Sequence, residues 1–263
     1  MDIWSSYTLT RGVTCSWNVG SLCLWLRREE AEWLYAVGHY ASAADASCSP
    51  GFATGVTKPD ELAWNRVFAS GSPVTVELRA VLPDGPVVIK SEEAITFLPG
   101  TETELYARIP LWVSVRTVPG GQVLLEVPTE PLSRTWFGES MKGTLGYSVQ
   151  LRLENRLDYL ETDNRTVICP LRFKNLSGAP HTSRSFVLLC EQLTLYRKPD
   201  PVPFFITNAA MTTVASAGEL NFTVLHERIK KDPSLQLEAR PRKRVGDSWW
   251  IKGYMLFQRI SNF

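Results

Sequence analysis

Between residues 70 and 225 the sequence is punctuated by turn signals roughly every ten residues, with short runs of β-branched and aromatic side chains between them. That rhythm leaves too little chain between turns for long helices. No capped, apolar-periodic helix of about twelve residues is found there, so the pattern predicts an all-β chain. The stretch from Ala80 to Val115 gives the pattern in small. Pro83-Asp84-Gly85-Pro86 reads as a turn, because proline presets φ and glycine accepts a positive one. Val87-Val88-Ile89 reads as a strand, and Ile95-Thr96-Phe97-Leu98 as a second one closed by Pro99-Gly100. Leu105, Ala107 and Ile109 then share one face of a longer strand that Pro110 interrupts.

The same reasoning extends in both directions. Residues 13–40 are expected to form a hairpin: Leu22-Cys23-Leu24-Trp25-Leu26 goes out, Arg27-Arg28-Glu29-Glu30 turns, and Glu32 to Val37 returns. A helix over Leu24–Ala36 is the competing reading, since Arg-Arg-Glu-Glu-Ala-Glu has helical propensity. Residues 41–58 read as a loop, and Lys58 to Arg66 as room for one short helical turn. Val74, Val76 and Leu78 share a strand face, and Val118-Pro119-Gly120-Gly121 reads as a hairpin turn before a return strand at Gln122–Val127. Further strands are expected at Tyr147–Leu153, Thr166–Lys174 and Ser185–Tyr196, with a hairpin around Ser216-Ala217-Gly218. Pro128-Thr129-Glu130-Pro131 breaks the pattern. With 263 residues to divide, the reading is two β-sandwich-like (Ig-like) domains in tandem, 1–135 and 136–263, with a boundary between 128 and 143.

Composition narrows the function classes. Charged residues make up 21% of the chain and the net charge is +1, so no global attraction to nucleic acid or an anionic membrane is expected. The charge is uneven: from His226 onward nine Lys/Arg face four Asp/Glu, a net of +5, which leaves −4 for the rest. The start lacks the basic and apolar regions of a signal peptide, and no apolar run reaches the ~18 residues of a spanning helix. Five cysteines without a pairing pattern (Cys15, Cys23, Cys48, Cys169 and Cys190) read as reduced, mostly buried thiols in a cytoplasmic protein. His39, His181 and His226 are far apart and read as surface or loop residues. No cysteine spacing suits zinc, and neither phosphate-binding glycine motif is present, so no cofactor or metal is expected. Adjacent carboxylates such as Glu92-Glu93 point to different sides of an extended chain and read as solvated.

Two stretches carry the residues that touch partners most often, Trp, Phe and Arg. In Leu132–Glu139 they are Arg134, Trp136 and Phe137, which suit either packing between domains or docking of a partner. Near the end, Arg242, Lys243 and Arg244 precede Trp249 and Trp250 in a basic-aromatic segment. That segment suits a strand closing the second domain, or a dock for an acidic protein or anionic lipid. Stacking on single-stranded nucleic acid is the least favoured use.

Several segments together resemble DUF432, an uncharacterised family of archaeal and bacterial proteins. They are Trp17-Asn18-Val19-Gly20-Ser21-Leu22-Cys23-Leu24-Trp25 with Glu32-Trp33, then Leu82-Pro83-Asp84-Gly85-Pro86-Val87-Val88, then Leu98-Pro99-Gly100 with Ile109-Pro110-Leu111-Trp112-Val113, and Thr135-Trp136-Phe137-Gly138. Cys169-Pro170-Leu171 and Leu193-Thr194-Leu195-Tyr196 fit as well. The resemblance implies no catalytic residue, because the family has no established activity. The expectation is a non-enzymatic accessory protein that docks a protein partner. A peripheral membrane protein using the tail, and an enzyme whose site is assembled from distant residues, are the alternatives. Self-association as a homo-oligomer remains open.

Overall fold

A computed structural model describes residues 3–41, 48, 51–71, 73–137, 144–157, 163, 165–199, 204–215, 220–225, 232–243 and 250–251. The protein is all-β, and its described residues hold no α-helix. In chain order the strands are β1 (Ser6–Thr8), β2 (Thr14–Val19), β3 (Leu22–Arg28), β4 (Trp33–His39), β5 (Phe52–Thr54), β6 (Asn65–Val67) and β7 (Thr75–Val81). Next come β8 (Val87–Phe97), β9 (Glu102–Pro110), β10 (Trp112–Val118), β11 (Val123–Pro128), β12 (Ser133–Phe137), β13 (Thr144–Leu151) and β14 (Thr166–Asn175). The last are β15 (His181–Leu188), β16 (Leu195–Lys198), β17 (Phe204–Thr207), β18 (Ala209–Val214), β19 (Leu220–Leu225), β20 (Gln236–Ala239) and β21 (Trp250–Ile251).

Contacts gather these strands into two compact units whose sequences interleave. Unit 1 is Met1–Val81 with Pro110–Pro131, and unit 2 is Leu82–Ile109 with Leu132–Phe263. The chain therefore leaves unit 1 before the Pro83-Asp84-Gly85-Pro86 turn, returns at Pro110, and leaves again after Pro131. The segment Leu82–Ile109 belongs to unit 2 because β8 pairs with β13 and β15, and β9 with β14.

Unit 1 holds sheet A, in the order β1-β7-β10-β11, and sheet B, in the order β5-β2-β3-β4-β6. The charged turn between β3 and β4 closes with the Glu29 N–H donating to the Glu32 carbonyl at 2.8 Å, so residues 24–36 form the hairpin and not the helix. Charges sit at that turn because the strands on both sides of it are apolar: Leu22 to Leu26 are all buried. Lys58 to Arg66 contains a turn and the start of β6, without a helix. Tyr7 of sheet A meets Trp17 and Phe52 of sheet B, with ring centroids 5.3 and 4.5 Å away. Edge-to-face and tilted pairs of this kind add about 0.5–1.5 kcal/mol beyond the area they bury.

Unit 2 holds sheet C, in the order β12-β13-β8-β15, and the eight-stranded sheet D built around β14. Phe97 of sheet C stacks on Phe173 of sheet D with centroids 3.8 Å apart, and Phe186 meets both rings edge-on. The two strands expected at Val87–Ile89 and Ile95–Leu98 are one strand, β8. Glu92-Glu93 interrupts it as a bulge and not as a turn: Lys90 faces Ser185 and Ile95 faces Ser183, so four residues of β8 oppose Arg184 alone. The bulge lets Glu92 and Glu93 both reach solvent from within a strand.

β17 and β18 run in the same direction along β14, separated only by Asn208, and their register against β14 slips by one residue there. They form one bulged strand. β16 pairs with its first half and β19 with its second. The buried Asn208 side chain closes that fork: its Oδ1 accepts from the Thr194 N–H at 2.8 Å, and its Nδ2 donates to the Leu225 carbonyl at 3.4 Å.

Candidate functional site

β12 lies at the edge of sheet C, with β13 on one side. Alternation along it puts Arg134 and Trp136 on one face. Across the ladder Arg134 faces Tyr147 and Trp136 faces Leu145. Trp136 is 42% exposed and Leu145 51%, and Arg134 is exposed too. Trp136 on the edge strand and Leu145 on its neighbour β13 thus form an exposed apolar step, beside a guanidinium. Phe137 ends β12 opposite Thr144, and its side chain lies outside the described residues.

Tyr147 is the centre of this face. Its hydroxyl donates to Asp84 Oδ1 at 2.7 Å, in the Pro83-Asp84-Gly85-Pro86 turn. Gly146 beside it can carry no side chain, because a Cβ there would stand 2.6 Å from the Pro86 carbonyl oxygen. Burial and the Asp84 carboxylate push the Tyr147 hydroxyl up to about 12, and Arg134 and Arg242 pull it down by a lesser amount. Tyr147 is therefore a neutral donor near pH 7, and the two arginines are close enough to act on it.

That places Arg134 and Arg242, from the two stretches singled out in the sequence, around the same tyrosine. Arg242 also donates to the Leu82 carbonyl at 2.9 Å, at the start of the turn that Tyr147 holds. Lys243 is fastened to the same unit: its N–H donates to the Glu191 carbonyl at 2.9 Å and its Nζ lies 3.7 Å from Glu191 Oε1. Glu191 is buried. Arg242 and Lys243 are thus each held against unit 2. Arg244 and Trp249 lie outside the described residues. Trp250 is seen only as backbone, in β21 beside β19.

His181 corrects the expectation of a surface or loop histidine. It is a strand residue, 9% exposed and stacked on Phe173 at 5.6 Å, and burial holds it below the usual histidine value. His39 is on β4, with Nε2 2.9 Å from the Pro128 carbonyl. Phe68 was not singled out by sequence, yet it is 67% exposed. Arg66 lies over its ring at 5.7 Å and pairs bidentately with Glu32. No group of His, Cys, Asp and Glu suited to a metal is found among the described residues. No helix of the described residues is long and apolar enough to cross a membrane.

No curated protein and no solved structure matches the chain. A family model described as "Protein of unknown function (DUF432)" matches residues 3–257. That match runs through both units and all the segments that carry the resemblance, and the chain belongs to the DUF432 family.

Proposed function

We propose that this protein is a non-catalytic accessory protein that docks a protein partner through the face of unit 2 built on β12. The observation that carries the reading is the exposed step of Trp136, on the edge strand β12 beside Arg134, with Leu145 of the adjoining β13. An edge strand offers backbone donors and acceptors to an added strand, Trp136 offers an anchor, and Arg134 selects a carboxylate beside it. The partner's matching element is therefore an extended segment carrying an acidic side chain. We read the units as β-sandwich-like and the Ig-like pair as the scaffold. The ring contacts between sheets A and B and between sheets C and D support this, and the parallel pairs of unit 2 depart from the Ig-like pattern. A reducing, cytoplasmic setting belongs to the same reading, supported by five cysteines that are all free and buried. Membrane association through the tail has less support, since Arg242 and Lys243 are already bonded to unit 2.

The test is capture of partners from native lysate by the wild-type chain and by Trp136→Ala, Arg134→Glu and Phe68→Ala. The expected result is one specific partner lost with the first two changes and kept with the third. A partner retained by both Trp136→Ala and Arg134→Glu places docking elsewhere. A chain that pairs with a second copy of itself, and loses that pairing with Trp136→Ala, replaces the foreign partner with a homo-oligomer.

A further inference from the structure

The hydrogen bonds beside β12 fix which of its backbone groups face outward. The Tyr147 N–H donates to the Pro86 carbonyl at 2.9 Å, as the parallel pairing of Tyr147 with Val87 requires. Tyr147 therefore turns its N–H and C=O toward β8 and away from β12. Arg134 is the residue opposite Tyr147 in the antiparallel pair of β12 with β13. Opposed residues of such a pair exchange both backbone bonds or neither, so Arg134 exchanges neither with Tyr147. Its N–H and C=O point to the outer side of β12, where no strand pairs among the described residues. Thr135, opposite Gly146, is the residue bonded inward.

The side chains add an order to this edge. Two rows run across the face, from Tyr147 to Arg134 and from Leu145 to Trp136. Both rows end at the edge on exposed side chains. Arg134 makes no ion pair among the described residues, so its row ends on an uncompensated cation. The other row ends on an indole.

Given docking on β12, we propose that the partner adds an extended segment antiparallel to this strand, with an apolar residue opposite Trp136 and, two residues later, an aspartate or glutamate opposite Arg134. Direction sets the order: an antiparallel segment meets Trp136 before Arg134, so its pattern reads apolar, any residue, acidic. The acidic residue's N–H donates to the Arg134 carbonyl, and its carbonyl accepts from the Arg134 N–H. Directly opposed residues share a face, so its carboxylate reaches the guanidinium, and the apolar residue extends the Leu145–Trp136 row. In a parallel segment the two Arg134 bonds would go to the residues on either side of the opposed one, and the pairing would be less stable per residue. On a strand of five residues that difference favours the antiparallel form.

The probe is a labelled peptide, acetyl-Gln-Thr-Ile-Thr-Asp-Thr-Gln-amide, titrated into the full chain and followed by fluorescence anisotropy. Its reversed sequence has the same composition and charge. The forward peptide should bind about tenfold more tightly than the reversed one. N-methylation at Asp removes the donor to the Arg134 carbonyl and should weaken binding about tenfold. N-methylation at the central Thr, whose N–H points away from β12, should change it less than about threefold. Arg134→Glu should lose this peptide and bind the one with Lys in place of Asp, a recovery that an unfolded variant could not show. A reversed peptide that binds as well, two N-methyl peptides that weaken alike, or a chain that binds neither peptide overturns the proposal. So does light scattering at twice the chain's mass that Arg134→Glu abolishes, which gives the edge to a second copy. If neither peptide binds while a lysate partner still depends on Trp136 and Arg134, this pattern falls and docking on β12 stands. A partner kept by both variants removes docking on β12 itself.

Discussion

Among the described residues of unit 1 every strand pair is antiparallel, and β2, β3 and β4 pair in the order in which they are made. In unit 2, β8 runs parallel to β13, and β14 runs parallel to both β17 and β18. The cores differ in the same sense. Among the described residues, the buried polar residues of unit 1 are serines and threonines, in the unit that holds six of the chain's nine tryptophans. Unit 2 buries Asn175, His181, Glu191, Gln192 and Asn208. Neighbouring antiparallel strands are held by their turns and by apolar faces. Strands brought together from far along the chain need side chains that fix register, and buried amides that satisfy the backbone do this. Asn175 is an example: its Nδ2 donates to the carbonyls of Phe97 and Ala179, both at 2.9 Å, tying β14 to the end of β8.

The largest effect that separates the two cores is expected in unit 1. Trp17 is fully buried between Tyr7 and Phe52, and Trp17→Ala should cost about 3–5 kcal/mol in urea unfolding. Trp17→Phe should recover most of that, because it keeps a ring in place and removes an indole N–H that has no partner. Trp136→Ala, by contrast, should change stability by less than about 1 kcal/mol. If the two alanine variants cost the same, the distinction between a packing tryptophan and a docking tryptophan is lost.

A smaller loss should come from the polar core of unit 2. Asn208→Ala leaves the buried Thr194 N–H without its acceptor and should cost about 1–3 kcal/mol. A neutral result would mean that the bulge between β17 and β18 is held by packing alone.

The smallest effect is a pH dependence. Burial holds His181 below its ordinary value of 6.5, so the folded protein favours the neutral ring. As pH falls below 6.5, the unfolded chain takes up a proton that the folded chain refuses. Stability should then decline until the folded value is reached, and the contribution should be flat above 6.5. His181→Phe keeps a ring against Phe173 and should remove that part of the decline. A wild type and variant with parallel stability profiles across this window would contradict the buried placement.

Legibility in the sequence follows the same division. The antiparallel pairings β3–β4, β10–β11 and β18–β19 are visible because each joins strands adjacent along the chain, although the Ser216-Ala217-Gly218 turn itself lies outside the described residues. Leu105, Ala107 and Ile109 all prove buried on one side of β9, as alternation predicts. The parallel pairing of Tyr147 with Val87 is invisible, since sixty residues separate them and no local turn joins them. The same distance problem hid the interleaving of the units and the placement of Arg134 and Arg242 within electrostatic reach of Tyr147. The β8 bulge was hidden differently: Glu-Glu-Ala between two apolar runs is poor in strand-forming residues and so reads as a break. His181 did leave a signal, because His181 and Ser183 are buried while Thr182 and Arg184 are exposed, the alternation of a strand. The preceding Pro180 masked it by completing an apparent turn.

Amide hydrogen exchange on the free chain and on the chain bound to its captured partner tests the docking claim most directly. The backbone of Ser133–Phe137 should exchange more slowly in the complex, while the three-residue edge strands β5 and β6 of unit 1 stay unchanged. Protection confined to unit 1, with Ser133–Phe137 exchanging as in the free chain, would contradict docking on β12.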